Sequence, residues 1–520
     1  MLRRIRMIAG ALCFALLTLL FLDFTGTLHR WLGFLAKIQF MPALMTLNVG
    51  IVAGLLLLTF MFGRVYCSVI CPLGVLQDIV SGIASRWNRR RFRWSPAVSW
   101  LRYSVLALFV IAIVCGAGSA VALLSPYSAY GRVAGNLFAP LWQWGNNLLA
   151  MMAERTESYA FYPVKVWLPS VAALTVALLT FAAIVAFSWR SGRTYCNTVC
   201  PVGTFLGVIA RVAIFKPVID VEKCNGCKFC ARNCKASCID SEQHAIDYSR
   251  CVVCLDCIGK CKQGAIRYAP QLPFVNRFKT TGDNVLAAEM QAGGVSRRHF
   301  FSLGALLVAP PFAKAQQKLI ADGGLADIAD KQRPPERTTP VIPPGSLGAR
   351  NMARHCTGCS LCVTVCPSKI LRPAGGLMTL LQPELSFEHG YCRPECVKCG
   401  EVCPTGAIQP LTTADKSATK VGRSVFIKER CVNNTDKQPC DNCARHCPTQ
   451  AITMAPNPDA PQEAQRPPGG GFFFGPPPKP LMIPVIDDEK CIGCGACEHL
   501  CPSRPLSAIY VEGNLMHRIV

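Results

Sequence analysis

The cysteine-rich stretch VEKCNGCKFCARNCK occupies residues 221–235, and SRCVVCLDCIGKCK follows at residues 249–262. Both contain the spacing CxxCxxCxxxC, in which three closely spaced thiolates fit one face of an iron–sulfur cube. Where two such cubes lie side by side, the fourth cysteine of each run ligates the other cube. Zinc is the competing metal, but zinc sites use CxxC pairs separated by longer gaps. The spacing therefore predicts two [4Fe–4S] sites in residues 216–275, one formed by Cys224, Cys227, Cys230 and Cys261 and the other by Cys251, Cys254, Cys257 and Cys234.

Four further groups of four cysteines lie between residues 356 and 501, and each ends in Cys-Pro. The second and third groups have longer gaps after their first cysteine, but an inserted loop can still return a thiolate to a cube. We expect four more [4Fe–4S] clusters in residues 351–520, and the spacing leaves open which groups pair. The ligands are Cys356, Cys359, Cys362 and Cys366; Cys392, Cys396, Cys399 and Cys403; Cys431, Cys440, Cys443 and Cys447; and Cys491, Cys494, Cys497 and Cys501.

The composition excludes several classes of protein. Charged residues make up only 16% of the 520 residues, against roughly 25% in soluble proteins. The chain is too long for a small disulfide-held scaffold, so its 31 cysteines indicate metal ligation. The motif CxxCH does not occur, and none of the eight histidines lies inside an apolar run, which argues against haem. A membrane protein with many metal-ligating thiols remains.

Four apolar runs, 7–22, 40–62, 103–124 and 166–188, predict a four-helix membrane domain over residues 1–215, since about 20 residues cross a bilayer core. Lysine and arginine are concentrated before the first run, between the second and third, and after the fourth. This bias places both ends of the domain in the cytoplasm. The basic stretch RWNRRRFR that begins at Arg86 is then a topology signal or a contact with anionic lipid rather than with nucleic acid.

The membrane domain contains an internal repeat. GRVYCSVICPLG begins at Gly63 and GRTYCNTVCPVG begins at Gly192. On a helix, cysteines four residues apart share one face, so two related halves could bring the four sulfurs together as a redox-active or metal-binding set. The alternative is a helix-ending motif with buried cysteines. The four candidates are Cys67, Cys71, Cys196 and Cys200.

Three cysteines stand outside these groups. Cys13 and Cys115 are expected to pack as small apolar residues. Cys238 is four residues from Cys234 and is either a bystander or a substitute ligand.

A second targeting signal is predicted in mid-chain. The sequence SRRHFF begins at Ser296, an apolar run covers 303–309, and Ala-Lys-Ala follows from Ala313. This order is typical of a twin-arginine export signal with a cleavage site. It predicts a signal or anchor at 290–316, a linker at 317–350 and an exported domain at 351–520, with cleavage left open; the alternative is an amphipathic linker.

A proline- and glycine-rich insertion at 456–480, which contains Phe472, is either a partner contact or a loop.

Residues 1–270 resemble the NapH family of membrane ferredoxin-type proteins, and residues 290–520 resemble the NapG/MauM family of four-cluster periplasmic ferredoxins. The chain looks like a fusion of the two. The resemblance implies a bacterial inner-membrane protein with four spans, α+β bacterial ferredoxin-like domains and a periplasmic C-terminal domain. It also implies oxidation of quinol from the membrane pool, with electrons passed to a periplasmic cytochrome or reductase such as nitrate reductase. Electron transfer for methylamine utilisation, a redox factor for metalloenzyme assembly and a relay driven by a soluble ferredoxin stay open as alternatives.

The predicted mechanism carries electrons through the clusters, because the sequence has no flavin or nicotinamide fingerprint. A bilayer core of about 30 Å separates the two predicted sets of clusters, so a diffusing quinone or the repeat cysteines must help to bridge it. Asp23, His29 and Arg30, after the first apolar run, are candidate quinol-site residues or ordinary interfacial residues.

Overall fold

The computed structural model describes residues 2–271 apart from 24, 89–91, 156, 158–160, 165 and 169. It then describes 320–322, 326–328, 331–332, 337–458 and 481–519. The predicted export signal and Phe472 lie outside the described residues.

The first 210 residues form a bundle of helices, because apolar side chains dominate nearly every stretch between turns. One turn of π-helix, Ala134–Phe138, interrupts the bundle. The α-helices are α1 (Leu2–Leu22), α2 (His29–Lys37), α3 (Phe40–Met45), α4 (Val49–Phe62), α5 (Val65–Val69), α6 (Pro72–Asn88), α7 (Ser99–Val114), α8 (Gly118–Leu124), α9 (Pro126–Val133), α10 (Ala139–Glu154), α11 (Val171–Ser191), α12 (Thr194–Thr198) and α13 (Pro201–Ala210).

Within the described residues, two helices, α1 and α11, are long and apolar enough to cross a membrane. The expectation of four such helices is therefore wrong. The run 40–62 is split because Leu47 has a φ of 51° and the Asn48 side chain accepts the Ile51 N–H to begin α4. The run 103–124 is split at Gly116, whose φ is 71°, because a left-handed residue ends a helix. Shorter helices, α4 with 14 residues and α7 with 16, result.

The internal repeat is a structural repeat. In the first half α4 leads into the short α5 and then α6, and in the second half α11 leads into α12 and then α13. Pro72 and Pro201 begin α6 and α13, where a proline costs no backbone hydrogen bond. Each CxxxCP motif therefore lies at the turn between a short helix and the helix that follows it.

The two-cluster segment packs as a small α+β unit against one end of the bundle. Strand β1 (Phe215–Ile219) pairs antiparallel with β4 (Ile266–Pro270), and β2 (Ile239–Asp240) pairs with β3 (Ala245–Ile246). Two short helices, α14 (Phe229–Arg232) and α15 (Asp256–Lys260), each begin beside the third cysteine of a run.

The C-terminal segment has the same kind of short elements. Strands β5 (Ile320–Asp322) and β6 (Ala326–Ile328) precede it as a pair. Within it β7 pairs with β8, β10 with β11, and β9 with β12, all antiparallel. The elements are α16 (Ala349–His355), α17 (Leu361–Val365), β7 (Leu371–Pro373), β8 (Pro383–Leu385), α18 (Lys398–Glu401), α19 (Thr413–Ala418), β9 (Thr419–Phe426), α20 (Val432–Thr435), α21 (Asn442–Arg445), β10 (Ile452–Pro456), β11 (Met482–Ile486), α22 (Ala496–Leu500) and β12 (Ile509–Ile519).

The two cysteine-rich units contact opposite ends of α1. At its start, Arg3 Nε lies 2.7 Å from Asp256 Oδ1 of the two-cluster unit. Just beyond its end, Lys398 Nζ of the C-terminal unit donates to the Thr25 carbonyl at 2.9 Å. A helix of 21 residues is about 30 Å long at about 1.5 Å per residue. The helix bundle therefore separates the two units by about the thickness of a bilayer core.

Candidate iron–sulfur sites

The two-cluster unit contains two small cavities, each lined by four or more thiols. One cavity is lined by Cys224, Cys227, Cys230 and Cys261, and the other by Cys234, Cys251, Cys254, Cys257 and the extra Cys238. These are the two sets that the spacing predicts as ligands, with the fourth cysteines exchanged. The lone Cys238 Sγ is 3.5 Å from Cys234 Sγ, which places it at the second site rather than away from it.

Local backbone geometry explains how three cysteines reach one cavity. Lys228 and Leu255 have φ values of 57° and 61°, and Gly226 and Val253 occupy the same region in the preceding loops. Left-handed residues turn the chain sharply, so successive thiols point to the same side. The regular groups of the C-terminal unit repeat this pattern at Gly358 and Ser360 and at Gly493 and Gly495.

The first two groups of the C-terminal unit exchange their fourth cysteines. One cavity is lined by Cys356, Cys359, Cys362 and Cys403. Another is lined by Cys366, Cys392, Cys396 and Cys399. Here the structure supplies a pairing that the cysteine spacing leaves open.

The last two groups are exchanged in the same way. Burial and the neighbouring sulfurs of Cys440, Cys431 and Cys501 together raise the pKa of the Cys443 thiol to about 12. Burial likewise raises the pKa of Cys494 to about 12, with Cys447 and Cys491 among its neighbours. The two resulting sets are Cys431, Cys440, Cys443 and Cys501, and Cys447, Cys491, Cys494 and Cys497.

These donor sets fit [4Fe–4S] clusters. Backbone N–H groups donate to the fourth cysteines, from Ile408 to Cys403 Sγ at 3.4 Å, from Ala451 to Cys447 Sγ at 3.2 Å and from Ala508 to Cys501 Sγ at 3.4 Å. Such donors stabilise cluster-bound thiolate and tune its potential. Within the described ranges, no three Cys, His, Asp or Glu side chains converge on a single-ion site.

The repeat brings Cys67, Cys71, Cys196 and Cys200 together in the core of the bundle, on the side of the two-cluster unit, and all four are buried. These four cysteines are called the bundle thiols below. Burial raises the pKa of Cys71 and Cys200, and the sulfurs of Cys196 and Cys67 raise both further. Gln77 Nε2 donates to Cys196 Sγ at 3.3 Å. Four soft ligands in a dry core are a set that can hold an iron–sulfur cluster or form disulfides.

Two arginines hold the halves of the repeat together crosswise. Arg64 of the first half donates through Nη2 to the Cys196 carbonyl at 3.3 Å, and Arg193 of the second half donates through Nη1 to the Cys67 carbonyl at 2.6 Å. Gly74 and Gly203 face these carbonyls, and a Cβ on either glycine would collide with the carbonyl of Cys67 or Cys196. The repeat GRxYCxxxCPxG thus ends in glycine because the backbones approach closely there.

Asp78 anchors this arrangement and is not among the residues predicted from the sequence. Its carboxylate accepts two bonds from Arg193, at 3.0 and 2.7 Å, and one from Arg6 at 3.1 Å. Lys235 Nζ of the two-cluster unit is 3.6 Å away. Arg193 and Lys235 hold the Asp78 pKa far below its usual range against the effect of burial. A lone acidic residue in a largely apolar helix was the available signal.

The candidate quinol residues after α1 form a turn. Asp23 accepts the N–H groups of Thr25, Gly26 and Leu28, and its Oδ2 lies 3.4 Å from His29 Nδ1. Arg30 is exposed. These contacts favour the interpretation of the trio as ordinary interfacial residues. Cys13 is partly buried in α1 and Cys115 is exposed at the end of α7.

Two models of iron–sulfur protein families match parts of the chain. A family model described as a 4Fe-4S binding domain matches residues 44–94 and 173–220, the two halves of the repeat. A 4Fe-4S dicluster domain model matches residues 438–504. The chain is 30% identical over 226 residues to the methylamine utilization ferredoxin-type protein MauM of Methylophilus methylotrophus, covering 41% of this chain and 83% of the relative.

Other relatives are similar over a comparable part of the chain. MauM of Methylobacillus flagellatus is 29% identical over 33% of this chain and 68% of its own length. The ferredoxin-type protein NapG of Haemophilus influenzae is 29% identical over 34% of this chain and 63% of its own length. No solved structure matches the chain.

Proposed function

Because the chain belongs to the family of ferredoxin-type iron–sulfur proteins that includes MauM, we propose that it is a membrane-bound electron carrier that oxidises quinol. It passes the electrons to a redox protein on the outer side of the bacterial inner membrane. It joins a NapH-like membrane part to a NapG/MauM-like part in one chain. Its 24 grouped cysteines hold six [4Fe–4S] clusters, each of which supplies one-electron transfer when bound.

The placement of the two cysteine-rich units at opposite ends of α1 carries this proposal. The two-cluster unit is tied to the start of α1 through Arg3 and Asp256, and the C-terminal unit to its end through Lys398 and Thr25. The chain therefore changes ends between residue 271 and residue 337, the interval that contains the twin-arginine sequence. This arrangement supports cytoplasmic two-cluster and periplasmic four-cluster units.

A continuous buried core supports electron transfer along the bundle. It includes Cys254 of the two-cluster unit, three of the bundle thiols, and Leu361 and Val365 beside the first C-terminal site. Tyr66 and Tyr127 lie in the same core. A further sulfur-ligated centre at the bundle thiols would divide a gap of about 30 Å into shorter steps.

The acceptor is a periplasmic reductase system of the kind that the resemblance to NapG implies, or the methylamine-utilisation partner for which MauM is named. A redox factor in metalloenzyme assembly is the alternative from another class, since it needs the same clusters but no sustained quinol turnover.

The test uses the full chain, purified anaerobically in detergent. We expect about 24 iron and about 24 acid-labile sulfide from six sites, and more if the bundle thiols hold a cluster. Reduced menadione or decylubiquinol should reduce the clusters in seconds, followed by low-temperature EPR. Stoichiometric zinc with little sulfide would contradict the cluster assignment. Clusters that dithionite reduces but neither quinol reduces would contradict quinol oxidation.

A further inference from the structure

A cleft of about 1070 Å³ opens between the helix bundle and the C-terminal unit, near the end of α1. Residues of α1, α10 and the segment before α11 line one wall, and residues of the C-terminal unit line the other. Its size is that of sites for large organic ligands. Among the Asp23, His29 and Arg30 candidates, none lines this cleft.

The wall from the bundle is mostly apolar. Phe21, Leu22, Ala139 and Trp167 contribute to it. On the same helix α10, Leu141, Trp142 and Trp144 are exposed. Exposed tryptophans at the end of an apolar helix are typical of the boundary between lipid and water. A ligand with a long apolar tail can therefore reach this wall from the bilayer.

The wall from the C-terminal unit is polar. His389, Tyr391 and Arg393 line it. The His389 ring lies edge-on to Trp167 of the other wall, with ring centroids 5.4 Å apart. A few convergent polar groups opposite an apolar wall are the usual means of orienting a ligand that has an apolar body and polar ends.

A cluster cysteine completes the cleft. Cys366 lines it, and the same cysteine lines the cavity with Cys392, Cys396 and Cys399. A ligand in the cleft thus lies beside one of the candidate [4Fe–4S] sites. Electrons delivered here enter the four-cluster unit without crossing the bundle.

We propose that this cleft is the quinol-binding site, an inference that rests on the proposed function. The hydroquinone headgroup lies against His389 and Tyr391, and the isoprenoid tail lies along α10. Both O–H bonds of the hydroquinone break, and the ring becomes a quinone. Oxidised [4Fe–4S] clusters, the nearest of them held by Cys366, Cys392, Cys396 and Cys399, would accept the two electrons one at a time. The two protons leave through the open side of the cleft to outer water.

The test maps binding directly and does not depend on turnover. The full chain in nanodiscs is labelled with a short-tailed azidoquinone under light, with and without excess decylubiquinone, and the labelled peptides are identified by mass spectrometry. We expect label that decylubiquinone suppresses, on peptides from α10, from residues 161–168 and from residues 387–393.

Two tryptophan variants sharpen the test. Gln143→Trp fills the cleft from the bundle side, whereas Ile111→Trp adds a tryptophan to an exposed face of α7, away from the residues that line the cleft. Gln143→Trp should weaken labelling and raise the KM for quinol by about tenfold or more, and Ile111→Trp should change neither. Iron content and the dithionite-reduced EPR spectrum check that both variants are folded.

The outcomes separate this inference from the proposed function. The cleft assignment is overturned if the label that decylubiquinone suppresses lies on other peptides. It is also overturned if the folded Gln143→Trp variant binds the quinone unchanged. If quinol still reduces the clusters in these cases, quinol oxidation stands. Failure of quinol to reduce clusters that dithionite reduces overturns both.

Discussion

Two buried arginines lie beside the bundle thiols and link the two halves of the repeat. Arg64 and Arg193 are fully buried, and a buried cation is stable only when its donors are satisfied. Arg193 has the Asp78 carboxylate, whereas Arg64 relies on carbonyls and on the Asn197 amide at 2.9 Å. The two halves therefore depend on each other for the solvation of their charges.

Asp78→Asn should destabilise the bundle by about 3–5 kcal/mol, because it leaves buried cations without their anion. The expected result is a lower thermal unfolding midpoint in detergent. The four bundle thiols should also lose their fixed arrangement. Because the Asp78 pKa is lowered, the stabilisation is present above the ordinary aspartate pKa and is lost as the pH falls through the lowered value. The variant should therefore show a weaker loss of stability with acid than the wild type.

Glu242→Gln is the matched control. Its partner Lys228 lies 2.7 Å away, but both side chains are at least half exposed, so the change should cost under about 1 kcal/mol. Equal effects of the two substitutions would show that Asp78 does not anchor the arginines.

Cys67→Ser or Cys196→Ser should abolish quinol-dependent electron flow across the bundle while the C-terminal clusters stay intact. The reason is that serine keeps the size but not the sulfur that a cluster or a disulfide needs. EPR in membranes measures the flow as reduction of the two-cluster unit after addition of quinol, because quinol in the cleft reduces the C-terminal clusters without crossing the bundle. Cys115→Ser, at an exposed position, is the control. Wild-type rates in both bundle variants would leave the thiols with a packing role only.

Prediction from sequence succeeds at the residue scale where the pattern is local. The triplets of cysteines reach one cavity through turns two residues long, so spacing alone indicates them. Asp78 and Arg193 are 115 residues apart in the chain, and only tertiary packing brings them together. The repeat motif shows an arginine before each pair of cysteines, but only the structure shows that Arg64 and Arg193 are buried and that each bonds the other half.

At the scale of elements, the breaks in two of the apolar runs change the expected architecture. Hydropathy measures whether a stretch is apolar, but not whether it is one helix. Both breaks are indicated by a residue type: Asn48 is a typical N-cap residue, and Gly116 is a typical helix-ending glycine. Two of the four runs consequently give bent pairs of helices, whose ends pack beneath the cysteine-rich units.

Cysteine exchange between neighbouring groups predicts the result of double substitution. Cys356 and Cys403 line one cavity. The double variant Cys356→Ser with Cys403→Ser should therefore lose about 4 iron, as each single variant does. Cys356→Ser with Cys366→Ser removes ligands from two cavities and should lose about 8. Iron analysis and EPR spin counts measure both.

The reverse result would assign each fourth cysteine to its own group. In that case Cys356→Ser with Cys366→Ser would lose about 4 iron and Cys356→Ser with Cys403→Ser about 8. The exchange within residues 224–261 was predictable because both groups there have the same spacing. The irregular second and third groups of the C-terminal unit gave no such guide.

At the scale of the whole molecule, α1 sets the distance between the two cysteine-rich units. Sequence alone indicated two units and a membrane part, but not that both dock on the same bundle. Docking depends on surfaces such as Val253 against Gly63 and Cys359 against Gly131, which join residues far apart in the chain. Such contacts have no local pattern to reveal them.

The orientation of the units predicts the result of reporter fusions. A reporter active only in the periplasm should be active after Val520 and inactive after Pro270, since the units lie at opposite ends of α1. Arg297→Lys with Arg298→Lys should abolish activity of the Val520 fusion, because the export machinery reads the arginine pair. A cytoplasmic reporter fused at the same two points is the control. Periplasmic inactivity of the Val520 fusion in the unmodified chain would contradict the export of this unit.

The crossed arginines have a consequence for the ancestry of the bundle. Each half gives the other an arginine and receives one on its own cysteine carbonyl, so neither half is complete alone. A shorter chain with a single copy of the repeat could build the same four-sulfur centre by dimerising with itself. Gene duplication would then join that homodimer into one polypeptide that keeps the crossed arginine contacts, and the Asp78 and Asn197 contacts, which differ between the halves, would follow later.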